Sequence, residues 1–243
     1  MFARQLLKAW LPRSMRLFLR DQVARRRASL SQVGQDFWVF GESFDGKRGG
    51  YFLEVGAADG ISLNNTFLLE KRYGWRGLCI EADPVAFQDL RQVRRAKCLN
   101  ICVDARDGEI DFVQRAQLGG IIADDTDNRD RGPETERGAV VRMEARSLHS
   151  ILRSENAPRV IDYLSIDVEG AEGRILGGFP FEDYVFNCMT VERPKDRLRE
   201  VLMQNEYKVI REVPGLDVFY IHKSFEAEYL KNVYAFWQRR SGS

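Results

Sequence analysis

Gly50-Tyr-Phe-Leu-Glu-Val-Gly-Ala-Ala-Asp-Gly60 is the stretch on which the reading of the whole chain turns. Tyr51–Val55 is short, mostly apolar and bounded by glycine, the pattern of a buried strand. Gly56-Ala-Ala-Asp-Gly60 follows as a turn whose glycines admit left-handed backbone and close main-chain approach. A helix is expected over 66–72 and a second apolar strand over 77–81. Asp83-Pro84 then offers an N-cap residue followed by the residue preorganised for a first helical turn, so a helix should run to about residue 94. With a third strand over 97–103, the β-α-β-α-β order predicts a parallel sheet with helices on its faces.

Working outward, strands are expected at 109–114 and 139–144. They bracket the charged run 124–136, which is too polar to bury and reads as a long exposed loop. A short helix near 147–153 leads to the strongly apolar strand 160–167, which ends in Asp-Val-Glu-Gly. A helix over 171–176, the strand Val185–Glu192 and a helix over 194–205 continue the alternation. Segments 207–213 and 216–222 flank Pro214-Gly215 as a hairpin, which predicts an antiparallel last strand, and 224–238 closes the chain as a helix.

The 243 residues are 44% apolar and 30% charged, enough for a sizeable core without disulfides or a structural metal. The net charge of +1 hides an asymmetry: residues 1–31 carry +7 and the remainder −6. A basic head on a mildly acidic body argues against nucleic acid as partner, which would call for a basic stripe across the fold. The head, expected as a helical extension over 1–30 before a single domain over 31–243, suits a peripheral membrane or protein contact. Cys79, Cys98, Cys102 and Cys188 lie in apolar runs without C-x-x-C spacing, and there are two histidines, so a zinc site of ordinary spacing is not expected. Reduced thiols and the lack of a signal-like start place the chain in the cytoplasm, or peripherally at the inner membrane surface.

Open α/β sheets bind ligands at the carboxyl ends of their strands. Here those ends offer Glu54 with the Gly56–Gly60 turn, Glu81, Asp104, Asp167 with Glu169, and Glu192. The dinucleotide fingerprint G-x-G-x-x-G is absent, and the acidic ends would repel a pyrophosphate. They suit a ligand with an amino group, a sulfonium and ribose hydroxyls, namely S-adenosylmethionine, with Glu81 accepting both ribose hydroxyls. Gly56, Asp59 and Gly60 belong to its cradle. Asn65 either touches the ligand or caps the following helix, and Asp104 either reaches the adenine side or sits in a turn with Asp107. Asp167 ends a central strand beside the expected methyl donor and is the first catalytic candidate. Glu169 and Glu192 come next, or else hold an arginine such as Arg193.

Combined motifs then add a resemblance. Ser31-Gln-Val-Gly-Gln-Asp36, the 50–60 stretch, Asn65-Thr66, Leu69-Glu70, Gly74-Trp75-x-Gly77 and Cys79-Ile-Glu-Ala-Asp-Pro84 are similar to FkbM-type methyltransferases. So are Asp162-Tyr-Leu-Ser-Ile-Asp-Val-Glu-Gly-Ala-Glu172 and Thr190-Val-Glu192. The resemblance implies a class I, Rossmann-like methyltransferase fold: a seven-stranded mixed sheet with helices on both faces and the last strand antiparallel. It also implies S-adenosylmethionine as donor and a hydroxyl acceptor on a small molecule such as a sugar, a glycoconjugate or a natural product. Gln35, in the family-like Ser-Gln-x-Gly-Gln-Asp stretch, would cover the methionine end of the cofactor or cap a helix. Asp167, Glu169 and Glu192 are similar in arrangement to the carboxylates that hold magnesium in catechol O-methyltransferases, which implies Mg2+ or Mn2+ as one option and Asp167 as a direct base as the other. The rivals are an N-methyltransferase acting on an amine and a non-catalytic cofactor-binding scaffold.

Overall fold

A computed structural model describes Arg13 and residues 28–114, 119–128 and 138–241. The helical extension expected over 1–30 therefore lies outside the described residues except at Arg13 and 28–30, as does 129–137 of the charged loop. The strands are β1 (Tyr51–Val55), β2 (Arg76–Ile80), β3 (Lys97–Leu99), β4 (Cys102–Asp104), β5 (Gly108–Gln114), β6 (Gly120–Ile121), β7 (Ala139–Ser147), β8 (Val160–Ile166), β9 (Val185–Glu192), β10 (Tyr207–Glu212) and β11 (Asp217–His222). Seven of them form one sheet in the order β10-β11-β9-β8-β1-β2-β3. β1 pairs in parallel with β2 and β8, β2 with β3, and β8 with β9. β11 runs antiparallel to both β9 and β10. The strand order reverses between β1 and β8, which opens a crevice at their carboxyl ends.

Alternation along β1 sends its side chains to two different cores. Leu53 and Val55 join a cluster with Ile151, Ile175, Leu198 and Leu202, from the helices α4 (Leu148–Ser154), α5 (Glu172–Leu176) and α6 (Asp196–Gln204). Phe52 faces the other way, with Leu69 of α2 (Phe67–Tyr73) and Leu90 of α3 (Pro84–Val93). That second core is closed by a short helix α1 (Gln35–Phe37), which runs on as a π-helix over Trp38–Ser43, and by the final helix α7 (Glu226–Ser241). Asp83 caps α3 as expected, its carboxylate accepting from the Val85 and Ala86 amides with Pro84 in the first turn.

The strand expected over 97–103 is in fact two. Asn100 donates its side-chain amide to the carbonyls of Glu81 and Ala82, at 2.8 and 2.9 Å, and this breaks the run. β4 then pairs with β7 in a separate four-stranded sheet, order β4-β7-β5-β6, built from the strands expected near 109 and 139. Cys79, Cys98, Cys102 and Cys188 are free thiols. No helix among the described residues is long and apolar enough to cross a membrane.

Candidate active site

The crevice is a cleft of about 980 Å³ over the carboxyl ends of β1, β2, β8 and β9. Gly56, Asp59 and Asn65 line it, as do Glu81 and the acidic residues Asp167, Glu169 and Glu192. Its apolar wall comes partly from the second sheet, through Val103, Phe112 and Ile121.

The two glycines serve the backbone more than the cavity. Gly56 has φ +86°, and a Cβ there would lie 1.8 Å from the Asp167 carbonyl oxygen, so glycine alone lets β1 and β8 meet. Gly60 has φ +76°, and a Cβ would press on Leu90, Val93 and Arg94 of the α3 region. Asp59 accepts from the Ile61 and Ser62 amides at 2.9 and 2.7 Å and folds the end of the turn.

Glu81 is 9% exposed, and each of its oxygens accepts one amide, from Ala58 and Asp83, both at 2.7 Å. Burial raises its pKa to about 7, against the lowering effect of those two amides. Each carboxylate oxygen keeps a lone pair for a further donor. Asn65 donates its backbone amide to Glu54 and its side chain to Ser165, while its Oδ1 is buried without a partner.

Three candidates have partners within the fold, and of these Glu54 alone also lines the cleft. Glu54 lies under the turn and accepts from Asn64, the Asn65 amide, Thr66 and Arg94, at 2.7 to 3.2 Å. It braces the cradle from beneath. Asp104 does not line the cleft: Arg174 grips both its oxygens at 2.7 and 2.9 Å. Burial opposes ionisation of Asp104, but the Arg174 hydrogen bond prevails and lowers its pKa. Gln35 also stays outside the cleft. It donates to the Asp217 carboxylate and accepts from the Val33 amide, while Gln32 lines the rim instead.

Asp167, Glu169 and Glu192 do converge, with one oxygen from each within 4.8 Å of the others. The end of β8 and a left-handed Glu169 (φ 54°) bring the first two together, and β9 delivers the third. Arg193, itself left-handed at φ 37°, directs one guanidinium nitrogen at Glu169 (2.9 Å), Glu192 (3.0 Å) and Asp127 (3.0 Å). Desolvation at the cleft floor, then Glu192, Glu169 and Asp217, raise the Asp167 pKa well above the usual carboxylate range. Its side chain is open to the cleft, so water tempers the first of these, and the neighbouring carboxylates remain as a cause that solvent does not remove. Glu192 lies beside Asp167 and disfavours a negative charge on it. Asp217 was not singled out from the sequence; its position at the start of β11, opposite Glu192 in the register, places it here.

The site thus combines a cleft at the switch point, an acid at the end of β2 and converging carboxylates at the ends of β8 and β9. No curated protein matches the chain. Residues 54–211, about two thirds of the chain, match the methyltransferase FkbM domain, and the stretch includes every cleft residue named above except Gln32. The chain belongs to the FkbM methyltransferase family.

Proposed function

We propose that the chain transfers the methyl group of S-adenosylmethionine to a hydroxyl of a sugar, glycoconjugate or natural product, with Asp167 taking the hydroxyl proton. The observation that carries this reading is the convergence of Asp167 with Glu169 and Glu192 on the floor of the same cleft that holds Glu81. Bound S-adenosylmethionine supplies an electrophilic methyl on a sulfonium. Glu81 uses its spare lone pairs for the ribose hydroxyls, and Val103, Phe112 and Ile121 offer an apolar wall for the base. A hydroxyl is a poor nucleophile until its proton has somewhere to go. An ionised Asp167 has a raised proton affinity and can receive it, while Arg193 partly offsets the charge of the neighbouring Glu169 and Glu192.

Mg2+ or Mn2+ fits this site poorly. Arg193 already occupies the Glu169 and Glu192 oxygens that would be ligands, so a divalent ion would have to displace a guanidinium.

The test is transfer of labelled methyl from S-adenosylmethionine into a panel of glycosides and polyols. Asp167→Asn should lower turnover by about 10²–10⁴-fold with cofactor affinity retained. Glu81→Ala should weaken cofactor binding by about 1.5–3 kcal/mol. Because Asp167 must be ionised to act, wild-type turnover should rise with pH beyond neutrality. Near-full turnover in Asp167→Asn, or no cofactor binding by calorimetry, sinks the reading.

A further inference from the structure

Two of the four cysteines stand opposite one another. β2 and β3 run in parallel with Cys79 and Cys98 in register, and both side chains face the core that holds Trp38 and Phe52. Neighbouring strands lie about 4.8 Å apart, inside the range of about 4.4–6.8 Å that a disulfide spans between Cα atoms. The other two thiols are out of reach. Cys102 packs in the other core, and Cys188 is on β9, three strand spacings or about 14 Å from β2.

Cys79 is fully buried, and its thiol donates to Glu54 Oε2 at 3.9 Å. Cys98 is half-buried on β3, an outer strand of the seven, and donates to the Ala96 carbonyl at 3.3 Å. The neighbouring Cys79 lowers the Cys98 pKa against the effect of burial, and Arg94 lowers it further. Burial raises that of Cys79. The more accessible thiol is therefore the more acidic, and the thiolate is the form that attacks a peroxide.

We propose that Cys79 and Cys98 form a reversible disulfide when a hydroperoxide reaches the β3 edge. The Cys98 sulfur attacks a peroxide oxygen, the O–O bond breaks, and hydroxide leaves with the Cys98 proton as water. Cys98 is then a sulfenic acid. The Cys79 sulfur displaces its hydroxyl, the S–O bond breaks, and a second water carries off the Cys79 proton. Two thiols lose two electrons in all, and one peroxide gains them. The chain between the two cysteines, 80–97, carries one wall of the cleft, including Ile80, Glu81, Asp83, Ala86 and Asp89. The disulfide fastens both ends of that wall together and takes the Cys79 proton away from Glu54.

The experiment treats the reduced, folded full chain with hydrogen peroxide, then counts thiols in denaturant and maps peptides without reductant. Two of the four thiols should disappear into a Cys79–Cys98 peptide pair, and dithiothreitol should restore them. Hydrogen exchange over 80–97 should slow in the oxidised form, because a closed loop opens less freely. Cys98→Ser should keep its three thiols under the same treatment, and Cys102→Ser should still form the pair. Four surviving thiols, pairing through Cys102 or Cys188, or oxidation of Cys98 to a sulfinic acid without pairing overturns the proposal. So does exchange over 80–97 that oxidation leaves unchanged. None of these outcomes depends on methyl transfer.

Discussion

Two clusters of carboxylates in this fold have been given opposite surroundings. Under the glycine turn, Glu54 and Glu70 face Arg94 and Lys71, and every bond is internal. At the cleft floor, Asp167, Glu169 and Glu192 share the Arg193 guanidinium with Asp127. The consequences differ in sign. Burial works against the Glu70 charge, yet Arg94, Lys71 and two backbone amides hold its pKa down to about 2. Burial and neighbouring acids push Asp167 and Glu169 upward instead. A matched cluster fixes a shape; an under-neutralised one keeps protons available for chemistry.

The sharpest way to break the contrast is Arg94→Met. It would leave Glu54 buried without a counter-ion and Glu70 with Lys71 alone, at about 3–5 kcal/mol, a large share of a typical domain's stability. Urea unfolding that matches the wild type would show the network to be dispensable. Gly56→Ala should come next. Left-handed strain costs about 1–3 kcal/mol, and the collision with the Asp167 carbonyl adds to it. The melting temperature should fall, and the remaining folded protein should lose turnover because Asp167 is displaced.

Proton linkage gives a gentler probe. Glu81 and Glu172 have pKa values raised to about 7 in the fold, so their contribution is complete below about 4.5 and is lost as pH rises through 7. Glu70 acts oppositely: its contribution is present above about 4.5 and is lost as pH falls through 2. Glu81→Gln should therefore flatten the decline in stability between pH 4.5 and 7, by about 3 kcal/mol at most. An unchanged slope in denaturant titrations would remove burial as the cause. The smallest effect belongs to Asp167→Asn, which relieves like-charge crowding at an open site. Its unfolding free energy at pH 8 should equal or exceed the wild type's by under about 1 kcal/mol, even as turnover collapses. A marked loss of stability would make Asp167 structural and dissolve the comparison.

The elements legible in the sequence were those with strong local patterns. Val185–Glu192 and the Asp83-Pro84 helix start appear where alternation and capping residues place them. The meeting of Asp167, Glu169 and Glu192 also follows, because strand ends in a parallel sheet share one edge. What misled were long-range partners. Asp104 and Gln35 look like ligands in isolation, but Arg174 and Asp217 lie 70 and 182 residues away and hold them outside the cleft. Nothing local reveals such a pairing. The split of 97–103 was hidden for a related reason: Asn100 acts on carbonyls near β2, eighteen and nineteen residues earlier.

The position of β11 has a consequence for anyone who would trim or transplant this fold. The family-matched stretch stops at 211, but β11 begins at Asp217 and lies between β9 and β10. A fragment cut at 54 and 211 would keep β10 while removing the strand it hangs from. It would also discard both halves of the Gln35–Asp217 clasp behind Glu192. Chimeras that exchange acceptor preference between relatives therefore need their junctions outside the 35–222 span, so that both edges of β11 travel with their own neighbours.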